Sequence, residues 1–219
     1  MWLLLIRKYL CIVILLLCIG NKNTDTLITD SLSIYDNHPT LDISEAKHLQ
    51  WVDSVLGVKG VKLIDYRNRI YQYNDTRFYW NRTFGYFLVY PSNFTHGEES
   101  DLSNGNHFVN EDSTICLNVY ATYFDVFKDD YSLREWFDMM IDTEVEQGNR
   151  IVKKDITDHS YTIEGNTKGG RYFYSKATHK KAYEREIIVT VKLKYTDSRR
   201  KEVEKLLPNI FKYVSTNEL

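Results

Sequence analysis

This 219-residue chain has only three cysteines and three prolines, and it has no excess of positive charge. Two of its three cysteines lie within the first 20 residues, so loss of that segment leaves only Cys116 and excludes an intradomain disulfide. The 28 Lys and Arg against 30 Asp and Glu give a net charge of -2, which disfavours nucleic acid as a partner. Three prolines, ten glycines and 14% aromatic residues exclude a long disordered chain.

Aromatic and apolar residues are plentiful instead. The chain has 17 Tyr and 10 Phe, and 43% of its residues are hydrophobic, which is enough for one sizeable core. We therefore expect one compact domain with extensions.

The N-terminus carries an export pattern. Arg7 and Lys8 precede an apolar run over residues 9–19, about 11 residues long and shorter than the roughly 20 that a spanning helix needs. Cys18 and Gly20 predict cleavage of a signal peptide after Gly20, and residues 15–18 also resemble a lipoprotein signal that would lipidate Cys18. Retention as a membrane anchor is the alternative. The expected location is periplasmic or extracellular, with the membrane contacted only through this N-terminal segment.

Four segments follow from the pattern along the chain. Residues 1–20 form the signal peptide or anchor, and the polar residues 21–43 form a flexible tether. Residues 44–76 contain a short accessory helix and an irregular or weakly extended segment. Residues 77–214 form the main α+β domain.

Within that domain, the apolar run over residues 84–90 predicts a strand buried on both faces. Ser132 and Glu135 have capping-box spacing and start a helix. Short turns between the strands of residues 150–195 predict antiparallel pairing. A terminal helix begins near Ser198, and Pro208 is expected to bend or split it.

The strand over residues 187–195 alternates between apolar and polar side chains, which predicts one buried face and one largely exposed face. Lys192 and Lys194 should share the exposed face, and Arg199 and Arg200 follow it in the terminal helix. These four residues are the predicted surface for an acidic protein partner. The alternative is that they pair within the domain, because residues 94–146 hold 13 acidic and only two basic side chains.

The loop region 96–112 holds the densest polar cluster, and its members are His96, Glu98, Glu99, Asp101, His107, Glu111 and Asp112. Their spacing does not match a twelve-residue calcium loop, and the two histidines lack a third close ligand for zinc. The chain also lacks a Gly-x-Ser-x-Gly elbow and a Gly-rich phosphate loop. We predict no catalytic residue, metal ligand or cofactor site.

Several short motifs resemble the PsbP-like family of small exported α+β domains. They are Tyr-Trp-Asn-Arg-Thr-Phe-Gly-Tyr at 79–86, Tyr-Pro-Ser-Asn-Phe at 90–94, Ser-Asn-Gly-Asn-His-Phe at 103–108 and Leu-Asn-Val-Tyr at 117–120. The chain departs from the family pattern at Asn106, where Asp is usual, and at Ser113, where Gly is usual.

The resemblance implies an antiparallel sheet flanked by helices, an α/β/α sandwich, in a family whose members bind or assemble proteins. The expected function is therefore an exported, non-enzymatic protein-binding or assembly module of the cell envelope, without a cofactor. The alternative is an envelope hydrolase or metal-dependent enzyme with its site in residues 96–112.

Overall fold

A computed structural model describes residues 45–212, except 99 and 101, together with residue 214. The predicted signal peptide and tether lie outside the described residues. The described residues form three α-helices, which are α1 (Glu45–Leu56), α2 (Leu133–Glu146) and α3 (Arg200–Phe211), and a 3-10 turn at Asp197–Arg199 precedes α3. None of the helices in the described part is long and apolar enough to cross a membrane.

Eleven strands in the described part of the chain form two antiparallel sheets. The strands of the small sheet are β1 (Lys62–Asp65), β2 (Ile70–Tyr73), β3 (Thr76–Asn81) and β4 (Tyr86–Pro91), in that spatial order. The large sheet contains β5 (Phe94–His96), β6 (Gly105–Asn110), β7 (Ile115–Tyr123), β8 (Arg150–Ile156), β9 (Ser160–Asn166), β10 (Tyr172–Ala182) and β11 (Arg185–Tyr195). Its spatial order is β5-β6-β7-β11-β10-β9-β8.

The predicted α+β class, with antiparallel strands and flanking helices, is confirmed. The structure adds a second sheet, and part of that sheet comes from residues 58–73, for which the sequence predicted an irregular or weakly extended segment. Strands β1 and β2 lie within that segment and extend the small sheet outward from β3.

The described helices and sheets pack in layers, with a hydrophobic core at each of three interfaces between them. The middle core lies between the two sheets, where β4 and β11 supply several of its fully buried side chains and α3 contributes Val203 and Ile210. A second core lies between α2 and the outer face of the large sheet, and a third lies between α1 and the outer face of the small sheet. The layers therefore run α1, small sheet, large sheet, α2, with α3 beside the small sheet against β4.

Local signals explain where the main elements begin and end. The first five residues of β4 are buried, as its continuous apolar run predicts. The capping box of α2 is present, because the Glu135 backbone N–H donates to the Ser132 hydroxyl and the Glu135 carboxylate accepts the Ser132 N–H. Of the two effects predicted for Pro208, bending or splitting the terminal helix, the split is wrong, since α3 continues through Pro208 to Phe211.

The prediction of a largely exposed second face on β11 is also wrong. Ile188, Thr190 and Lys192 lie on that face and are 2%, 3% and 9% exposed. The reason is α2, which packs over this face of the large sheet through Phe137 and its neighbours. The polar side chains of β11 therefore did not predict an exposed face, because α2 covers them.

Candidate functional site

Lys192, one of the four residues predicted to bind a partner, is buried beneath α2. Its Nζ atom donates to both carboxylate oxygens of Glu144 at 2.6 Å and lies 5.2 Å from the centre of the Phe173 ring. The Asn149 amide donates to the same carboxylate at 2.7 Å. Burial lowers the pKa of the Lys192 amine, and Glu144 opposes that shift. Lys192 therefore joins the sheet to α2 and is not accessible to a partner.

Arg199 lies at the start of the terminal helix and is held by three groups. Its Nε atom donates to the Thr114 hydroxyl at 3.0 Å, and its other nitrogens pair with Glu202 at 2.9 Å and with Asp112. Hydrogen bonds from Thr114 and from Arg199 hold the pKa of the Asp112 carboxyl far below its usual range. Arg199 thus fastens the terminal helix to the turn between β6 and β7.

Arg200 is exposed, and its guanidinium stacks on an aromatic ring. The guanidinium carbon lies 4.4 Å from the centre of the Tyr172 ring, which stacks on Tyr195 at 5.9 Å with 20° between the planes. Further along the helix, the Phe211 ring lies 5.7 Å from the Tyr174 ring and 5.2 Å from the Lys176 ammonium. We name this row of side chains between α3 and β10 the α3 seam; its members are Tyr172, Tyr174, Lys176, Arg200 and Phe211.

Lys194 lies on the other side of the large sheet from the α3 seam. Strand side chains alternate, so Lys194 shares the α2-facing side with Lys192, while its neighbour Tyr195 faces the middle core. The four predicted residues therefore occupy separate places: Lys192 under α2, Lys194 beyond it, Arg199 at the β6–β7 turn and Arg200 on the α3 seam.

The acidic and basic segments of the sequence also meet within the domain. Besides the pairs of Lys192 and Arg199, Arg185 binds Asp125 through two nitrogens at 2.5 and 3.2 Å. The same guanidinium lies 4.2 Å from the Tyr123 ring. At these three positions the structure agrees with the alternative of internal pairing.

The polar residues of the 96–112 loop point to different neighbours. His96 contacts Asp65, the exposed Glu98 lies 3.5 Å from Arg67, and the exposed Asp112 pairs with Arg199. The His107 ring packs so closely on Gly97 that an added Cβ there would lie 2.1 Å from it. Glu111 is exposed, and Glu99 and Asp101 lie outside the described residues. Among the described residues no group of three or more His, Cys, Asp or Glu side chains could hold a metal ion.

The pair formed by Asp65 and His96 was not visible from the sequence, because 31 positions separate the two residues. His96 Nε2 lies 2.9 Å from an Asp65 oxygen, and Asp65 also accepts the backbone and side-chain N–H groups of Asn68. Burial alone would raise the pKa of Asp65, but these hydrogen bonds outweigh it and lower the pKa to about 2. The pair joins the small sheet to β5 of the large sheet.

Comparison with known proteins gives likenesses among solved structures only. No family model matches the chain, and no curated protein sequence matches it. Cyanobacterial PsbP from Synechocystis is 16% identical, with 64% of this chain and 92% of that one covered and a TM-score of 0.45. The Ran-binding protein Mog1p of Saccharomyces cerevisiae is 14% identical, with 57% and 87% covered and a TM-score of 0.37.

A third similar structure is LpqN of Mycobacterium tuberculosis, a protein involved in cell envelope biogenesis. It is 8% identical, with 77% of this chain and 94% of that one covered and a TM-score of 0.35. The likeness is one of fold. A PsbP structure is thus among those to which the chain is similar, as the motifs predicted, and this similarity carries nothing about activity or partners.

Proposed function

We propose that the chain is an exported, non-enzymatic protein-binding or assembly module, and that it binds an acidic surface of a partner protein through the α3 seam. The observation that carries this proposal is the stack of Arg200 on Tyr172 and Tyr195 at the surface. Arginine and tyrosine are the residue types that dominate binding energy at protein interfaces.

The stack holds the Arg200 guanidinium in one place before any partner arrives. An arginine that lies on an aromatic ring loses less conformational freedom on binding than a free lysine does, and its planar fork fits a carboxylate with two hydrogen bonds. The stacking itself contributes about 0.5–1 kcal/mol at an exposed site. An acidic partner can therefore be bound at a small entropic cost.

Charges around the stack favour an acidic partner. Lys201 and Lys205 are exposed on α3, and Lys176 lies at the far end of the seam. Glu202, the acidic residue nearest to Arg200 in the sequence, already pairs with Arg199. Positive side chains therefore lie at both ends of the seam, while the acidic Glu164 and Glu204 lie near Tyr195 in its stack.

Two ionisable side chains of the 96–112 loop, His96 and Asp112, make contacts that hold elements together. His96 contacts Asp65 across the two sheets, and Asp112 ties the β6–β7 turn to Arg199. This use of the loop favours a structural role for its ionisable residues over the alternative of a hydrolase or metal enzyme.

Export is the second part of the proposal. It rests on the positively charged start and the short apolar run of residues 1–20. The polar residues 21–43 would then join the folded domain to the membrane or to the site of cleavage.

The binding surface is tested by capture from the native envelope with charge-reversed variants. We expect Arg200→Glu to reduce captured partner at least tenfold at low salt, with a smaller difference at high salt, where all capture is weaker. Lys154→Glu is the matched control, because Lys154 is an exposed lysine on the edge strand β8. Lys194→Glu tests the opposite side of the sheet, and we expect no loss from it.

Each variant is first compared with the wild type in thermal unfolding, so that a loss of capture is not mistaken for a loss of folding. Equal capture by the seam variant and the wild type would contradict the proposal. So would an equal loss in the Lys154 and seam variants, because it would indicate non-specific attraction between charges.

A further inference from the structure

Two buried polar side chains on β10 lack a hydrogen-bond partner among the described residues. Lys180 is 3% exposed and Thr178 is 8% exposed, and neither the Lys180 Nζ atom nor the Thr178 hydroxyl is paired there. The two residues are two positions apart on one strand, so their side chains share a face. Buried polar groups in native proteins are normally paired, and two unpaired donors on one face indicate a bound group that supplies acceptors.

The face that carries these two donors is otherwise apolar. Thr178 is opposite Val189 and Lys180 is opposite Ile187 in the β10–β11 ladder, and both opposite residues are fully buried in the middle core. Ala182, the next residue of β10 on this face, also packs against that core. A molecule that binds here therefore meets hydrocarbon around two hydrogen-bond donors.

The acidic side chains nearest along the chain are directed elsewhere. Glu186 is opposite Lys181, so it shares the other face of the sheet, where its carboxylate lies 3.4 Å from His179. Glu184 is exposed in the β10–β11 turn. Burial lowers the pKa of the Lys180 amine to about 8, so most of the amine is still protonated at neutral pH. The group that pairs with it is therefore an anion.

The two donors lie at a margin of the large sheet. The pairing of β10 with β9 ends at Thr178 and Ser160, whereas its pairing with β11 continues to Ala182 and Arg185. Between Lys180 and Ala182, β10 therefore has a neighbour on one side only among the described strands. A ligand can reach this face from the margin without separating two paired strands.

We propose that Thr178 and Lys180 form a binding site for a small aliphatic carboxylate that comes from outside the chain. The ammonium and the hydroxyl supply one donor for each carboxylate oxygen, and the aliphatic carbons contact Val189 and Ile187. The single negative charge of a carboxylate matches the single ammonium. A phosphate dianion would leave one charge uncompensated on an apolar face, which disfavours it as the ligand.

Titration of the full-length chain with sodium butyrate tests the site, with sodium chloride at equal ionic strength as the reference. We expect saturation-transfer NMR to detect butyrate on the wild type and to give its dissociation constant. At ten times that concentration, butyrate should lower the unfolding constant in urea about elevenfold. Absence of binding would overturn the proposal. Equal binding of sodium phosphate would overturn the ligand class, because the site is inferred to hold one negative charge.

Three variants locate the bound butyrate. Lys180→Met removes the ammonium and keeps a long side chain, so we expect at least about a tenfold loss of affinity, as for the loss of a hydrogen bond to a charged group. Thr178→Val keeps the shape and should weaken binding to a smaller extent. Lys181→Met is the matched control, because Lys181 is exposed on the other face, and it should bind butyrate like the wild type. Unchanged affinity in Lys180→Met, or an equal loss in Lys181→Met, would contradict the assignment.

A further measurement needs only the wild type and does not depend on how a variant folds. A carbodiimide condenses an amine with a carboxylate in contact with it and is itself converted to a urea. With butyrate present, peptide mass spectrometry should find Lys180 as its butyryl amide. A link between Lys180 and an Asp or Glu of the chain would overturn the proposal, because the amine would then already have its anion.

Discussion

The side chains of Lys192 and Glu144 are only 11% and 13% exposed. The ion pair between them offsets the free-energy cost of burying two charges. Removing one partner leaves the other charge buried and uncompensated, which typically costs about 3–5 kcal/mol. We therefore predict that Glu144→Gln lowers the free energy of unfolding by about that amount in urea denaturation. The double variant Lys192→Met with Glu144→Leu should lose less, because it removes both charges.

The control for this prediction is an exposed ion pair on the same helix. Arg134 and Asp138 are 61% and 45% exposed and lie one helical turn apart. Because water screens such a pair, Arg134→Ala should change the stability by no more than about 0.5 kcal/mol. A comparable loss at both sites would mean that the Lys192 pair is not desolvated as described.

Asp65 predicts a dependence of stability on pH. Its pKa is about 2 in the folded chain, below the roughly 3.9 of an unfolded aspartate, so the unfolded chain binds a proton more readily. This contribution is fully present above about pH 4 and is lost as the pH falls toward 2. We expect Asp65→Asn to destabilise the chain at pH 6 and to lose that effect by pH 2, in urea unfolding at several pH values. A constant difference across that range would contradict the assignment.

At the scale of the elements, Gly105 at the start of β6 shows how close two strands approach. A Cβ atom there would lie 2.0 Å from the carbonyl oxygen of Val119 on β7, and a backbone atom cannot move aside as a side chain can. Gly105→Ala should therefore destabilise the chain by at least about 1–3 kcal/mol, the usual cost of overpacking. Thermal and urea unfolding measure the loss.

Gly169, in the turn between β9 and β10, is the matched control. A Cβ atom at Gly169 would meet nothing closer than 3.9 Å. Gly169→Ala should accordingly stay within about 0.5 kcal/mol of the wild type. Similar losses at both glycines would indicate that backbone flexibility, and not the approach of β7, sets the effect.

Local sequence patterns predicted the elements that depend on local contacts. The capping box fixed the start of α2, and the continuous apolar run over 84–90 predicted the buried strand β4. The pattern predicted only an irregular or weakly extended segment where β1 and β2 lie, because strands of four residues each show too few positions for a period to emerge. It failed for the second face of β11 because a buried lysine in an ion pair looks like an exposed one in sequence.

The candidate site was less predictable than the fold, because its contacts join residues that are far apart in the sequence. Arg200 was named as a binding residue from its charge, but its stack on Tyr172 joins residues 28 positions apart and carries no local signal. The Asp65–His96 and Lys192–Glu144 pairs span 31 and 48 positions. Which side chains pair across sheets and helices depends on the tertiary arrangement. A single sequence predicts the fold class of that arrangement but not which distant residues meet in it.

For the whole molecule, the proposed export signal would decide whether the domain is released or attached. We predict that the exported chain begins at Asn21, because the apolar run of about 11 residues is shorter than a membrane span. N-terminal sequencing or intact mass of the exported protein measures this. A lipidated N-terminus at Cys18 would mean an attached lipoprotein, and a chain that begins at Met1 in the membrane fraction would contradict cleavage.

We propose that an acidic partner protein binds the α3 seam through Arg200. The most direct measurement is the dissociation constant of the captured partner for the wild-type chain, Arg200→Glu and Arg200→Lys at fixed low salt. We expect a loss of at least tenfold for Arg200→Glu and an intermediate loss for Arg200→Lys, which keeps the charge but not the planar stack on Tyr172. An unchanged dissociation constant for Arg200→Glu, in a chain that unfolds like the wild type, would contradict the account.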